Sequence, residues 1–338
     1  MPRITVRNAV VVFNILLIAA LVVHLKYELW DKRSATADLA GASHLPDEIF
    51  DEHQANAASH AAKPTLKGRR TAIVVASQGA ENATWLSEYF PRWELNHYRI
   101  DDPHAKLTVP MNKGRESMVY LTYIIDHYDT LPDNVLFLHP NRYQWHNDDP
   151  DYDGLPMLRH FQIPYLEQEG YVNIRCAWSL GCPHEIKPLE EEGEHREAVH
   201  AGGAYKKAFE HLFPDEPVPA AVGVSCCAQF AATKERIRKK NKSDYIKYRQ
   251  WILDTDLPDS ISGRVFEYSW HMIFGKKPVH CPRAEDCYCK VFGMCKLLCT
   301  NEGSCEGQYS LPPYSSLPKD WPLIGWDGKK RERAAPEE

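Results

Sequence analysis

An apolar strand that runs directly into a polar loop is the feature that most constrains how this chain can fold. Residues Asn134–Leu138 read NVLFL, and turn-forming residues bound the run on both sides. A short apolar run with such boundaries predicts a buried inner strand of an α/β sheet. Ligands of open α/β sheets bind beyond the carboxyl ends of the strands, so we expect the functional site from His139 onward.

The loop that follows this strand is dense in acid, base and amide groups. The candidate site residues in it are His139, Asn141, Arg142, His146, Asp148, Asp149 and Asp151. Loops on a rigid scaffold carry a large share of binding and catalytic residues, which favours a functional interpretation. The alternative is an ordinary polar turn, because Asp-Pro and Asp-Gly are common turn sequences.

A predicted helix that begins within Asn112–Ser117 offers a second candidate site. Lys113 and Arg115 oppose the helix dipole at that end unless an anion binds to the free backbone N–H groups. The candidate substrate-binding residues here are Asn112, Lys113, Arg115 and Glu116. In the alternative interpretation, both cations extend into solvent and Glu116 alone complements the dipole.

Strands and helices alternate through the rest of the chain. The predicted strands are Arg70–Ser77, Glu94–Ile100, Tyr171–Ile174 and Cys226–Thr233, and the predicted helices are Ala83–Phe90, Leu155–Phe161, Tyr205–Phe213 and Ser262–Phe274. In the last helix, Arg264, Glu267 and His271 share one stripe at steps of three and four. Glu267 is either a second carboxylate of the site or a surface partner of Arg264 or His271.

The N-terminal segment contains an apolar run at residues 9–23. Its length is near the lower limit for a membrane span, and no cleavage site follows at the usual distance, so we predict an uncleaved membrane anchor. The predicted organisation is an anchor at 1–33 that contacts the membrane through 9–25, a flexible stem at 34–68, an α/β catalytic domain at 69–280, a cysteine-rich lobe at 281–310 and a tail at 311–338. The net charge of −6 gives no overall attraction to nucleic acid.

Six of the ten cysteines fall close together near the C-terminus: Cys281, Cys287, Cys289, Cys295, Cys299 and Cys305. With an N-terminal anchor and the glycan acceptor sequences Asn82-Ala-Thr84 and Asn241-Lys-Ser243, this clustering predicts disulfide bonds in a lumenal compartment. A structural zinc site is the weaker alternative, because the spacing lacks paired C-x₂-C motifs.

Four sequence blocks resemble a large, mostly fungal family known only as a domain of unknown function: Asn112–Ser117, His139–Pro150, Cys226–Phe230 and Glu267–Phe274. The resemblance implies an α/β fold similar to A-type glycosyltransferases, with a Rossmann-like mixed sheet, helices on both faces and a cysteine-rich C-terminal lobe. It adds Gln229 and His271 to the candidate substrate-binding residues and Glu267 to the catalytic ones.

A glycosyltransferase-like enzyme is the first function that this resemblance implies. Asp149 and Asp151, or Asp151 and Asp153, would then form a D-x-D clamp for a divalent cation, Mn²⁺ or Mg²⁺, on the diphosphate of a nucleotide-linked sugar. Such an enzyme is expected to be a single-pass membrane protein of the ER or Golgi. Nothing in the sequence pattern indicates an oligomeric state.

The second function that this resemblance implies is an arginine-containing cyclodipeptide synthase of fungal secondary metabolism. Such an enzyme uses aminoacyl groups delivered on tRNA. The acidic loop would bind the arginyl guanidinium, with His139 or His146 as general base. Lys113, Arg115 and the basic run from Lys234 would contact the tRNA on the cytosolic face, although a solvated helix face also explains that run. Disulfides favour the glycosyltransferase, and a non-enzymatic anchored binding protein is a third interpretation.

Overall fold

The computed structural model describes residues 68–194, 199–308, 316–325 and 327–331. The predicted anchor at 1–33, with its apolar segment at 9–25, and the predicted stem up to residue 67 lie outside these ranges. Among the described helices, none is both long enough and apolar enough to cross a membrane.

A five-stranded mixed sheet forms the centre of the described domain. The described residues form the strands β1 (Thr71–Ser77), β2 (Glu94–Arg99), β3 (Asn134–Leu138), β4 (Tyr171–Asn173), β5 (Gly223–Val224), β6 (Phe230–Thr233) and β7 (Val279–His280). The central sheet has the order β2-β1-β3-β6-β4, and β5 pairs with β7 separately. β1, β2 and β3 are parallel, whereas β6 is antiparallel to both of its neighbours.

Helices surround this sheet. Those formed by the described residues are α1 (Thr84–Tyr89), α2 (Glu116–His127), α3 (Gly154–His160), α4 (Ile163–Glu169), α5 (Gly202–Leu212), α6 (Lys234–Ile237), α7 (Lys242–Asp254), α8 (Asp259–Glu267), α9 (Trp270–Ile273) and α10 (Ala284–Phe292).

Both faces of the sheet are covered, because alternate side chains of the inner strands enter different parts of the core. Ala72 and Val74 belong to the cluster that contains α2 and α5, whereas Ile73 and Val75 belong to the cluster that contains α3 and α10. A strand buried on both faces requires this alternation. The α/β class and the mixed sheet predicted from the sequence are therefore confirmed.

One edge of the sheet brings together segments that are far apart in the sequence. The carboxyl ends of β1, β3 and β4 lie at this edge, and so does the start of β6, because β6 runs in the opposite direction. The Gln229 side chain, just before β6, accepts a hydrogen bond from the His139 backbone N–H at 3.1 Å, which joins two of these segments. The residues that follow β3 and β4 and those that precede β6 therefore converge.

The predicted strand at Asn134–Leu138 is confirmed with the same bounds. The predicted strand Cys226–Thr233 is too long: β6 begins only at Phe230, because Cys227 and Ala228 have positive φ angles of 88° and 47°, which a strand does not accommodate. The predicted single helix at Ser262–Phe274 is also wrong, since α8 ends at Glu267 and α9 begins at Trp270.

All six C-terminal cysteines form disulfide bonds, as predicted. Cys289 pairs with Cys295 and Cys299 with Cys305, within the cysteine-rich stretch. The other two bonds leave the stretch, Cys281 to Cys182 and Cys287 to Cys176. The helix α10 adds further buried side chains to the core. The cysteine-rich stretch is therefore joined to the α/β domain by covalent bonds and by packing.

Candidate functional site

A group of charged and imidazole side chains occupies the edge where the segments converge. We call it the central cluster, and its members are Arg115, Glu116, His139, His146, Arg175, Arg264 and Glu267. Each titratable acid and imidazole of the cluster interacts electrostatically with at least two other members. The cluster combines three cations, two carboxylates and two imidazoles, and these come from four separate segments of the chain.

Glu267, the last residue of α8, lies at the centre of the cluster. Its Oε1 accepts a hydrogen bond from the Cys227 backbone N–H at 2.5 Å. Its Oε2 lies 3.7 Å from Arg264 Nε, and only 12% of the side chain is exposed. Burial raises the pKa of the Glu267 carboxyl, and the Arg264 charge opposes that shift. Glu267 is thus a fixed carboxylate with increased basicity.

The two histidines of the cluster stack on each other, with ring centroids 4.1 Å apart. His139 Nε2 lies 2.9 Å from the Cys227 carbonyl, which can only accept, so this nitrogen carries the proton. Burial lowers the pKa of both rings, that of His146 well below its usual range. Gln229 donates to the His146 carbonyl at 3.2 Å. Both imidazoles are therefore neutral and held in place.

Several buried polar atoms in and around the cluster have no hydrogen-bond partner among the described residues. They are Ser117 Oγ, Tyr120 Oη, His146 Nδ1, Arg264 Nε and Tyr268 Oη. Burial raises the pKa of the Tyr120 and Tyr268 hydroxyls well above their usual range, so both remain protonated. A buried polar group that lacks a protein partner is costly to stability, and such groups are typical of a site whose ligand completes the bonding.

The start of α2 contributes Arg115 and Glu116 to the cluster. Arg115 has a φ of 54°, an uncommon angle for a residue other than glycine. Lys113, in contrast, turns away: its ammonium donates to the carbonyls of Leu253 at 3.1 Å and Thr255 at 2.5 Å, at the carboxyl end of α7. Lys113 therefore caps another helix and does not point to the same place as Arg115, and anion binding at the start of α2 stays a prediction. Asn112 is exposed.

The acidic loop, Asp148–Asp153, has a different character. Asp148 is buried and accepts hydrogen bonds from the backbone N–H groups of Cys176 at 2.5 Å and Ala177 at 3.2 Å, and from the Tyr288 hydroxyl at 2.7 Å. Asp149 Oδ1 accepts from the backbone N–H groups of Asp151 and Asp153, at 2.9 and 3.1 Å. These two carboxylates hold the loop to itself and to the core.

The other two carboxylates of the loop form ion pairs within the protein. Asp153 binds both Nε and Nη2 of Arg142, at 2.8 and 2.7 Å, and also caps α3 through the Leu155 backbone N–H at 2.9 Å. Asp151 pairs with Arg331 at 2.5 Å. Both carboxylates are therefore paired with the protein's own arginines.

In the predicted D-x-D clamp, one oxygen of each carboxylate is already bonded within the protein, and a divalent cation there stays a prediction. Asp151 points one oxygen at Arg331, and Asp149 uses Oδ1 for two backbone N–H groups. A hard cation needs several free oxygen ligands around one point. Elsewhere in the described residues, ligand atoms of Cys226, Cys227 and Glu267 lie within 4.8 Å of one another, but the two sulfurs are joined in a disulfide and supply no thiolate.

Two other predicted site residues have structural roles. His271 is buried in α9, and its Nε2 lies 2.9 Å from the Pro278 carbonyl. The break after α8 separates it from Glu267, so it does not join the cluster as predicted. Asn141 accepts from the Asn82 backbone N–H at 3.0 Å and borders the surface beside His146.

Arg175 is the main cluster residue that the sequence analysis did not select. It is buried, its Nη1 lies 2.6 Å from Cys227 Sγ, and it follows β4, whose carboxyl end lies at the same edge as that of β3. An arginine directly after a buried strand was the available signal, but the order of β4 and β6 in the sheet is needed to interpret it.

A comparison with protein families is consistent with the resemblance noted in the sequence. Residues 73–290 match a family described as "Protein of unknown function (DUF3431)". The chain belongs to this family. Every member of the central cluster lies within the matched range, whereas residues 316–331, which contact the acidic loop, follow it. A search of curated proteins gives no match to the chain.

Proposed function

We propose that this member of the family is a membrane-anchored, glycosyltransferase-like group transferase that moves a sugar from a nucleotide-linked donor. The central cluster is the proposed active site. The observation that carries the proposal is a cluster of charged side chains at the carboxyl ends of the inner strands, with unsatisfied buried atoms of His146, Arg264 and nearby hydroxyl groups in and around it. Ligands of α/β sheets bind at this edge, and a cluster that only stabilised the fold would be expected to satisfy its own polar groups.

The arginines are proposed to bind the anionic part of the donor. Arg264 Nε has no hydrogen-bond partner among the described residues, and its guanidinium lies beyond hydrogen-bond distance of Glu267. Guanidinium groups form strong, directional bonds to phosphate oxygens. Arg115 adds a second positive charge, which acts on His146 as that of Arg264 does. Together they stabilise the charge that develops on a diphosphate leaving group.

Glu267 is proposed as the general base that removes a proton from the acceptor hydroxyl. Burial has raised the pKa of this carboxyl above its ordinary value of 4.5, which makes it a better base. The bond from the Cys227 backbone N–H fixes its orientation. No step is assigned to Asp149 or Asp151, because Oδ1 of each is already bonded within the protein.

The cysteines support a compartment of the secretory pathway, ER or Golgi. All ten cysteines are paired, and disulfide bonds persist in oxidising environments. Together with the predicted anchor at residues 9–25, this favours sugar transfer over a reaction that consumes cytosolic aminoacyl-tRNA. Asp151 and Asp153, which a synthase would need for the arginyl group, already bind Arg331 and Arg142.

Release of nucleoside diphosphate from a panel of nucleotide-diphosphate sugars, measured with the full-length chain, tests the proposal. We expect turnover with at least one donor, and Arg264→Met should raise the KM for that donor by about tenfold or more. Arg238→Met is the matched control, because Arg238 is an exposed arginine bound to the carbonyls of Tyr128 and Asp129, outside the cluster. Absence of turnover with every donor, or equal effects of the two variants, would overturn the proposal.

A further inference from the structure

A second site lies beside the central cluster. It is a cleft of about 400 Å³ between the loop after β3 and residues 316–321. Tyr143, Trp145 and Trp321 line it together with the polar side chains of Asn141, Gln144 and His146. Its acidic lining residues are Glu81 and Asp320, and no Lys or Arg is among the described residues that line it.

Each of the three aromatic rings of the cleft contacts an arginine that does not itself line the cleft. Arg142 lies 5.0 Å from the Tyr143 ring centroid, Arg175 lies 5.7 Å from that of Trp145, and Arg331 lies 4.7 Å from that of Trp321. Cations at such distances attract the ring faces.

The acidic loop in turn fixes two of these arginines. Asp153 holds Arg142, and Asp151 holds Arg331. The Trp321 indole N–H also donates to the Asp151 carbonyl at 2.7 Å. The acidic loop therefore holds the aromatic residues of the cleft in place. This structural role accounts for its carboxylates without metal binding.

We propose that this cleft binds the acceptor of the transfer reaction and that the acceptor is a neutral, polyhydroxylated molecule of the size of a sugar unit. This inference rests on the proposed function. The volume falls within the roughly 300–1,000 Å³ typical of small-molecule sites. The negative faces of aromatic rings attract the polarised C–H groups of a sugar ring, while amide and carboxylate groups bind its hydroxyls.

Charge separates this cleft from the donor side of the cluster. The lining carries two carboxylates and no cation, and the acidic loop pairs with Arg142 and Arg331 beside the rings, so an acceptor with a phosphate or carboxylate group is disfavoured there. The arginines Arg115 and Arg264 lie on the cluster side and attract an anionic donor. His146 belongs to both sites, because it lines the cleft and stacks on His139. An acceptor in the cleft is therefore next to the residues that are proposed to act on it.

Binding of methyl hexosides to the full-length protein, with its disulfides intact, tests the inference without any donor. Tryptophan fluorescence is the readout, since Trp145 and Trp321 both line the cleft. We expect saturable binding of at least one neutral methyl hexoside, and weaker or absent binding of hexose 6-phosphates and of free nucleosides. Trp321→Ala should raise the Kd for the hexoside by about tenfold.

Two further variants make the test specific. Trp178→Ala is the matched control, because Trp178 lines a different surface cleft and should leave the Kd unchanged. Asp320→Asn alters an exposed residue of the cleft and should weaken binding severalfold even where Trp321→Ala fails to fold. Weaker binding in both cleft variants, with unchanged binding in Trp178→Ala, supports the inference.

Three outcomes overturn the inference: no saturable hexoside binding, equal binding by the cleft and control variants, or preference for phosphorylated sugars or nucleosides. Failure of the proposed function is distinguishable from each of these. A protein that binds hexosides through Trp321 but turns over no nucleotide sugar keeps the cleft and loses the transferase. A protein that turns over the donor but binds no hexoside through Trp321 supports the transferase function and contradicts the assignment of the cleft.

Discussion

The acidic loop and the central cluster contain similar side chains but use them in opposite ways. In the loop, four carboxylates lie within six residues, and each is bonded to a backbone N–H, a hydroxyl or an arginine of the same protein. In the cluster, two carboxylates and three arginines come from distant segments, and several polar atoms around them have no partner among the described residues. Each carboxylate of the loop has a hydrogen-bond partner within the protein, whereas several polar atoms around the cluster have none among the described residues.

The comparison shows that a high density of charged residues along the sequence does not by itself indicate a catalytic or binding site. Carboxylates that are close in sequence can satisfy one another's backbone through tight turns, as Asp149 does for Asp151 and Asp153. Polar groups that the fold collects from separate segments and leaves unsatisfied cost stability. Proteins break such local rules mainly at functional sites. Substitutions in the acidic loop and in the central cluster test this difference.

The largest effect is expected from Glu267→Gln on the cluster side. Glutamine keeps the shape and can still accept from the Cys227 backbone N–H, but it cannot take a proton. Turnover of the donor should fall by about 10²–10⁴-fold, with little change in melting temperature. In the native protein the rate should rise with pH as Glu267 loses its proton, at a pKa above the ordinary value because of burial.

Glu285→Gln is the control for this variant, since Glu285 is an exposed carboxylate on α10, with 62% of its side chain accessible. A wild-type rate in Glu267→Gln would show that the cluster is as structural as the loop. The contrast between the two regions would then disappear.

An effect on folding, not on chemistry, is expected from Asp148→Ala in the loop. The change leaves two backbone N–H groups and the Tyr288 hydroxyl without their acceptor in a buried place. Unsatisfied buried donors cost about 1–3 kcal/mol each, so we expect a loss of about 3 kcal/mol in the free energy of unfolding. Urea unfolding measures it, with the exposed Asp327→Ala as control. A variant that is stable but inactive would instead indicate that the loop takes part in the reaction.

Much of the scaffold could be predicted because its signals are local. The apolar run Asn134–Leu138 is a strand with the predicted bounds, and the polar groups after it do reach the functional edge. His139 and His146 lie together at this edge, because both belong to the loop that follows the strand, and their role in a site stays a prediction. For Glu267 the sequence left two alternatives open, and the structure shows both a contact with the Cys227 backbone N–H and an ion pair with Arg264.

The rest depends on partners that are far away in the sequence. Arg331 and Trp321 reach the acidic loop from a C-terminal segment that showed no pattern of its own. Lys113 stands beside Arg115 in the sequence, yet its ammonium is drawn to the end of α7. Helical spacing predicted that His271 and Glu267 lie on one face of a single helix, but the helix ends at Glu267 and a new one begins at Trp270. Pairing across such distances follows from the tertiary fold and not from periodicity.

The smallest expected effect concerns Asp149 and its response to pH. Burial raises the pKa of this carboxyl from its ordinary value of 3.8 to about 6. The folded protein therefore binds more protons than the unfolded chain between those pH values, so this residue makes stability fall as pH rises from about 4 to about 6. Asp149→Asn removes the titration but keeps an oxygen for the Asp151 and Asp153 backbone N–H groups. The variant should equal or exceed the native protein in stability above pH 6, by roughly 1–2 kcal/mol at most.

Urea unfolding of both proteins across this pH range measures the difference, and repeating it with Mn²⁺ or Mg²⁺ tests the metal prediction at the same residue. A cation bound by the loop would stabilise the native protein in proportion to its occupancy and would not stabilise Asp149→Asn. We expect the cation to leave the difference between the two proteins unchanged, because Asp151 is paired with Arg331 and Asp149 with the backbone. A cation-dependent gain in the native protein alone would make the loop a ligand site, and the two regions would then share the chemistry.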